Sequence, residues 1–282
     1  MAVSLRPITD DDLDTVAQFL HAHHDSSVPV ESFRQSFAAH HSGARPNSGV
    51  MLVDGDDVVG AYLAYYSDRV VDGRVHRICN LGTWYVLPAY RRHSLKMAKA
   101  ILAQDGFHFL DLSPSETVAA LNKRLGFEYL DNRAVVLPAL PWRWRPTRIS
   151  SDPLVLQQAL SGEELRLYRD HRDAPAAHHM VLQDRGAVCY VVLRIVKRKG
   201  LLVAIVVHAS RPETLRRMIH PFVGFALLRY RVVAVVVELR WLDGKIPGAS
   251  IPWRLDPKML RSPTLGPEDI DYFYSELLYL NW

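Results

Sequence analysis

Cysteine is scarce in this chain. Cys79 and Cys189 are the two in 282 residues. Each sits inside an apolar, strand-like run, and the two are far apart in sequence. A disulfide framework is therefore excluded, and both read as reduced core thiols. Long hydrophobic runs are missing too. Stretches such as LLVAIVVHA from Leu201 are too short to span a bilayer, and the opening MAVSLRPITDDDLD holds no apolar segment of the signal-peptide kind. A soluble, cytoplasmic protein with no membrane partner is expected. Nor is there a large excess of one charge. The net charge is +4, from 34 basic and 30 acidic residues. That suits an anionic small molecule and speaks against a nucleic acid, because no basic stripe interleaved with aromatics is present. Histidines cluster at His21, His23 and His24, at His40 and His41, and at His178 and His179, yet none has carboxylate or cysteine partners at ligand spacing. No metal is expected.

What is present is enough apolar sequence, 49%, to fill a core, over a length that allows one large domain or two ordinary ones. Two domains are favoured by an internal echo. MLVDGDDVVGAYLAYY begins at Met51 and MVLQDRGAVCYVVLRI begins at Met180. Each reads as a strand, a tight Asp/Gly turn and a longer strand, with Gly55 and Gly186 able to supply positive φ. Each continues through a second turn, VVDGR or KRKG, into another strand, then a helix, then a strand at FHFLDL or VVAVVVEL. The proline-rich stretch from Leu137 to Pro153 holds four prolines and Trp142 and Trp144, and it reads as the linker. Domains are expected at 1–140 and 150–282. An N-terminal helix, capped by Thr9 or Asp10, should bury Leu13, Val16, Phe19 and Leu20. Its counterpart in the second half should break near Ser161 and Gly162. The tail EDIDYFYSELLYLNW is expected to be a docked helix with Ile270, Phe273 and Leu277 on one face.

Glycine is absent where it would be most informative. The stretch VLPAYRRHSLKMAKAIL, from Val86, reads as a strand end, a turn crowded with Arg91, Arg92, His93 and Lys96, and a helix with a buried stripe of Leu95, Ala98 and Leu102. A helix N-terminus with unpaired N–H groups suits a phosphate. A loop that wraps a diphosphate usually needs glycine, and here Ser94 and Lys96 stand instead. On the residues alone, phosphate binding and a merely solvated helix face both remain open.

WYVLPAYRRHSLKMAKAIL resembles the central motif of the GNAT (Gcn5-related) acyl-CoA N-acyltransferases, a strand ending Val-x-Pro-x-Tyr-Arg followed by Arg/Gln-x-x-Gly-x-Gly/Ala. LSPSETVAALNKRLGFEYL resembles that family's later helix ending in Leu-Gly-Phe. The resemblance covers residues 3–137, and the echo extends it more weakly to the second half. It implies an α+β fold of two tandem GNAT-like domains, each with a mixed, mostly antiparallel central sheet flanked by helices. It implies acetyl-CoA or another acyl-CoA as a substrate, held by Arg91, Arg92, His93, Ser94, Leu95 and Lys96. Ser94 would donate a hydroxyl, and Arg91, Arg92, Lys96 and Lys99 would supply charge. Backbone groups of Tyr85 and Val86 would serve the pantetheine and the thioester carbonyl, and Ser115 falls where the family often has asparagine.

The implied reaction is attack of an amine on the thioester, aided by a base and by a tyrosine acid. The two proton-transfer positions are occupied by Asn80 and Asn122, and neither titrates near neutral pH. His76 is the nearest replacement base by strand alternation. Tyr65 and Tyr66 either line the acceptor site or belong to the core. The implied function is acyl transfer to the amine of a small metabolite or sugar. A catalytically inactive acyl-CoA-binding or scaffolding protein is the alternative, favoured by the amides and the missing glycines, and a tandem relative that uses aminoacyl-tRNA is a third reading. The resemblance leaves a homodimer open.

Overall fold

The computed structural model describes residues 3–38, 45–140, 148–242 and 250–280. The first elements are β1 (Ser4–Pro7), α1 (Leu13–His23), α2 (Val30–Ala38), β2 (Gly49–Asp54), β3 (Asp57–Val71) and β4 (Arg74–Val86). They form as the sequence dictates. Thr9 and Asp12 close a capping box ahead of α1, which buries Val16, Ala17, Phe19 and Leu20. The β2–β3 turn uses Gly55 at φ +65°, and Asp72 and Gly73 take φ +49° and +73° between β3 and β4. Next come α3 (Ser94–Leu102), β5 (His108–Asp111), α4 (Glu116–Arg124) and β6 (Glu128–Tyr129). A last strand from the far end of the chain, β14 (Met259–Arg261), completes this sheet in the order β1-β2-β3-β4-β5-β14-β6. Within this sheet, among the described residues, β4 and β5 run parallel and the other neighbours antiparallel.

The second sheet contains β7 (Arg133–Pro138), β8 (Ile149–Ser150), β9 (His178–Asp184), β10 (Ala187–Arg198), β11 (Leu201–Ala209), β12 (Ala234–Glu238) and β13 (Ile251–Arg254). Helices α5 (Pro153–Ala159), α6 (Gly162–His171), α7 (Pro212–Arg217) and α8 (Ile219–Tyr230) belong to the same half. Its order is β8-β9-β10-β11-β12-β7-β13, with β11 and β12 parallel. Strand for strand, this repeats the first sheet. The α5–α6 break falls beside Ser161, where the sequence puts it.

The domain limits differ from the expected 1–140 and 150–282. One compact unit comprises Met1–Leu130, Pro257–Ile270 and Tyr274–Trp282, and the other comprises Asp131–Asp256 and Asp271–Phe273. β7, expected to close the first domain, pairs with β12 and buries Val135 and Leu137 in the second core. β14 takes the matching place beside β5 and buries Met259 in the first core. Each half of the sequence thus gives its last strand to the other half's sheet, and the chain passes between units at Leu130 instead of in the proline-rich stretch. Trp142 and Trp144 lie outside the described residues.

The tail also departs from expectation. Pro267–Asp269 and Glu276–Leu278 are 3-10 turns, and Tyr274 takes φ +55°. Residues 270–280 are buried without interruption. The left-handed backbone at Tyr274 breaks any helical run through the stretch. Cys79 and Cys189 are free buried thiols, and burial raises the pKa of both.

Candidate active site

β4 and β5 pair from Ile78↔His108 to Leu81↔Asp111 and then part. The cause is a bulge. On the other edge of β4, Ala64 pairs with Leu81 but Tyr62 pairs with Trp84, so Gly82 and Thr83 oppose one residue of β3. Gly82 is required by close approach, because a Cβ there would lie 2.4 Å from the Tyr65 ring. Past the bulge, Leu87 N–H donates to the Val59 carbonyl. Antiparallel ladders bond alternate pairs, so Tyr85 also bonds toward β3. Trp84 and Val86 therefore turn their backbone groups to the edge that β5 has left. Of the expected pair Tyr85 and Val86, the ladder presents Val86 there, joined by Trp84 instead of Tyr85.

A cavity of about 360 Å3 fills the parting, walled by Tyr62, Thr83, Trp84, Asp111, Ser113 and Ser115, with His24 and Asp25 at its rim. The Tyr62 and Trp84 rings stack with centroids 4.2 Å apart. Tyr62 Oη, Thr83 Oγ1, Trp84 Nε1 and Asn80 Oδ1 are buried without hydrogen-bond partners among the described residues. A buried polar atom left unpaired costs roughly 1–3 kcal/mol. Three of these atoms belong to residues that line the cavity, Tyr62, Thr83 and Trp84.

Below them runs a chain of hydrogen bonds. Asn122 Nδ2 donates to Asp111 Oδ2 at 2.8 Å, Ser113 Oγ donates to Glu276 Oε1 at 2.7 Å, and Asn80 Nδ2 donates to Glu276 Oε2 at 3.2 Å. The two carboxylates are buried, and burial, reinforced by the charge of Glu276, pushes Asp111 up to about 7. Such a carboxylate can exchange a proton near neutral pH.

Asn80 and Asn122 are buried behind the cavity wall, and each holds a carboxylate. Asp111 and Glu276 escaped the sequence reading. The one available signal was a lone charge closing the apolar run of β5; Glu276 lies 165 residues further along (276 minus 111) and gave none. His76 is at the far end of β4, four residues or about 13 Å of strand from Asn80, and contacts His108 at 3.1 Å. It cannot replace the base. Ser115 caps α4 and borders the cavity. Tyr65 and Tyr66 are core residues, bonded to Ser36 and to Asn47 and Gln104.

The basic turn is a 3-10 helix, Pro88–His93, running straight into α3. Ser94 N–H donates to the Arg91 carbonyl, and none of residues 88–96 takes positive φ. With proline at its start and no glycine, the segment winds instead of opening. Tyr90 N–H is likewise engaged, by the Leu87 carbonyl, and Arg91, Arg92, His93, Ser94 and Lys96 offer side chains. Leu95 is exposed; the buried stripe is Met97, Ala98 and Ile101.

In the second unit the matching parting is filled. β11 and β12 pair as far as Ile205↔Val236, and a bulge follows at Val192/Leu193 on the β10 side. The His208 ring there packs against Trp241 and Phe273, with centroids 5.7 and 4.9 Å apart. Two of the arginines after β11 are engaged as well, Arg211 with the Val188 carbonyl and Arg217 with Asp184 and Glu213. Ser210 accepts from Tyr190 N–H and does not cap α7, though Pro212 opens that helix as expected. His179, one of the clustered histidines, bonds Tyr190 and the His171 carbonyl. His40 and His41 lie outside the described residues.

No protein-family model and no curated protein matches the sequence. Solved structures do match the fold. A GCN5-related N-acetyltransferase from Anabaena variabilis superposes with a TM-score of 0.58 at 11% identity, over 92% of this chain and 72% of that one. One from Kribbella flavida gives 0.57 at 16%, over 92% and 71%. Saccharomyces cerevisiae N-myristoyltransferase with bound myristoyl-CoA gives 0.50 at 10%, over 92% and 82%. At these identities the likeness is one of architecture. Among the described residues no helix is long and apolar enough to cross a membrane. With the β4–β5 parting, the bulge and the sheet order in place, the fold of this chain is that of the GCN5-related N-acetyltransferase superfamily.

Proposed function

We propose that the first unit is an acyl-CoA-dependent N-acyltransferase whose acceptor is a small polar amine. The observation that carries this is Asp111, raised to about 7 in the wall of the cavity where β4 and β5 part. In this reading the thioester arm of acetyl-CoA or another acyl-CoA lies along β4, and the free N–H groups of Trp84 and Val86 polarise its carbonyl. Asp111 takes the proton as the amine attacks, the C–S bond breaks, and the proton passes to the leaving thiolate. Asn122 and the Ser113–Glu276–Asn80 chain hold the carboxylates in place. Among the described residues the cavity walls include Asp25 and Asp111 and no lysine or arginine, which favours a cationic acceptor. The stacked Tyr62 and Trp84 rings favour the same charge. Side chains of Arg91, Arg92 and Lys96 serve the phosphates.

The test is thiol release from acetyl-CoA with a panel of amines and amino sugars. Turnover by the wild type, lost in Asp111→Asn, supports the reading. Tight acetyl-CoA binding with no turnover on any amine supports the alternative, an inactive acyl-CoA-binding protein, which the amides at Asn80 and Asn122 favour.

A further inference from the structure

A second cavity, about 620 Å3, lies in the first unit at the start of β5, away from the cleft at that strand's end. Phe107, Phe109, Leu260 and the exposed Tyr129 give it aromatic and apolar walls, and Arg261 also lines it. Two guanidinium groups lie over its phenyl rings. Arg77 is 4.1 Å from the Phe107 centroid and Arg261 is 5.8 Å from that of Phe109. Strand register explains the arrangement. Arg77 precedes the Ile78↔His108 pair and so stands beside Phe107, while Arg261 pairs with Phe109. Side chains alternate along strands, so all four share one face of the sheet.

Neither arginine has a hydrogen-bond or ion-pair partner among the described residues, whereas Arg6, Arg166 and Arg217 each meet a carboxylate. Asp105 and Glu128 on the cavity wall are exposed and pair with neither. Two glycines leave the cationic heads uncovered. A Cβ at Gly106 would lie 4.0 Å from Arg77 Nη1, and one at Gly126 would lie 3.9 Å from Arg261 Nε. A guanidinium stacked on a ring keeps its in-plane N–H fork free for a planar, bidentate anion. The aromatic floor favours a flat or apolar body attached to that anion.

We infer that this cavity is a binding site for a small aromatic carboxylate, independent of the acyl-transfer cleft. The probe is sodium phenylacetate, titrated calorimetrically into the full chain at fixed ionic strength, with benzyl alcohol and inorganic phosphate as comparison ligands. Saturable binding of phenylacetate is expected at millimolar concentration or below, with both comparison ligands at least tenfold weaker. Arg261→Ala should weaken binding at least tenfold, and Arg261→Lys should also weaken it, since an ammonium lacks the fork. Asp111→Asn should bind phenylacetate as the wild type does, which separates this site from the cleft whether or not the protein transfers acyl groups. The inference is overturned if wild type shows no saturable binding, if benzyl alcohol or phosphate binds as well as phenylacetate, or if a folded Arg261→Ala protein binds unchanged.

Discussion

Asp111 shows what one side chain gains from its surroundings. In an unfolded chain it titrates near 3.8; in the fold, burial and the neighbouring Glu276 raise it to about 7. A group whose pKa is raised on folding favours the folded state below its unfolded value and loses that contribution as pH rises through the folded one. The wild-type unfolding midpoint should therefore fall between pH 4 and pH 8 relative to that of Asp111→Asn, whose amide can still accept from Asn122. Scanning calorimetry at several pH values checks this, and parallel curves for the two proteins would refute the assignment. Under the proposed chemistry, activity should rise with pH through about 7 in the wild type. It should drop about 10²- to 10⁴-fold in the variant, the usual loss for a general base. Gly82 is the other decisive residue. In Gly82→Ala the new methyl meets the Tyr65 ring at 2.4 Å and Glu276 Oε2 at 3.3 Å. Overpacking of this kind costs about 1–3 kcal/mol, so thermal melting should show a midpoint lowered by several degrees.

The instructive element is the segment from Pro88 to Leu102. Its amphipathic helix was legible in sequence, but its buried face was misplaced: Ala98 is shared, while Met97 and Ile101 are buried where Leu95 and Leu102 were expected. Missing glycines were legible too, and the structure supplies their consequence: the segment is wound, with Ser94 N–H engaged by Arg91. Phosphate binding here then depends on side-chain charge. Replacing Arg92 and Lys96 together by alanine should weaken CoA binding at least about tenfold, the factor corresponding to 1.4 kcal/mol. Wild-type affinity should fall as salt is raised, since exposed charges are screened. Titration calorimetry reads both; equal affinities in the two proteins would move the phosphates elsewhere.

At the scale of the molecule, the exchange of β7 and β14 ties the halves of the sequence together. β14 lies between β5 and β6 and, among the described residues, is the one strand that β6 pairs with. The stretch after it brings Glu276 beside Asn80. A chain ending at residue 256 would lose the strand, the carboxylate and the buried residues 270–280 at once. We expect that truncation to abolish cooperative unfolding of the first unit and any CoA binding, with circular dichroism and urea titration as the readouts. A truncated chain that melts like the full one would show that β14 is dispensable.

Local chemistry was enough to determine much of this from the sequence. Strand periodicity, the Asp/Gly turns at Gly55 and Gly186 and the helix cap at Thr9 or Asp10 depend on residues a few positions apart, and the first two revealed the repeated α+β unit. Asn80 and Asn122 were singled out as candidates for the same reason, since each is counted from a nearby motif. What they hold was not. Asp111 meets Asn122 across a strand–helix contact, Glu276 reaches Asn80 from 196 positions away, and β7 and β14 find their sheets by packing that no local pattern encodes. Where a strand's two candidate partners are equally apolar, only the assembled core decides between them, and that decision placed Asp111 in the cavity wall with the buried Glu276 close behind it.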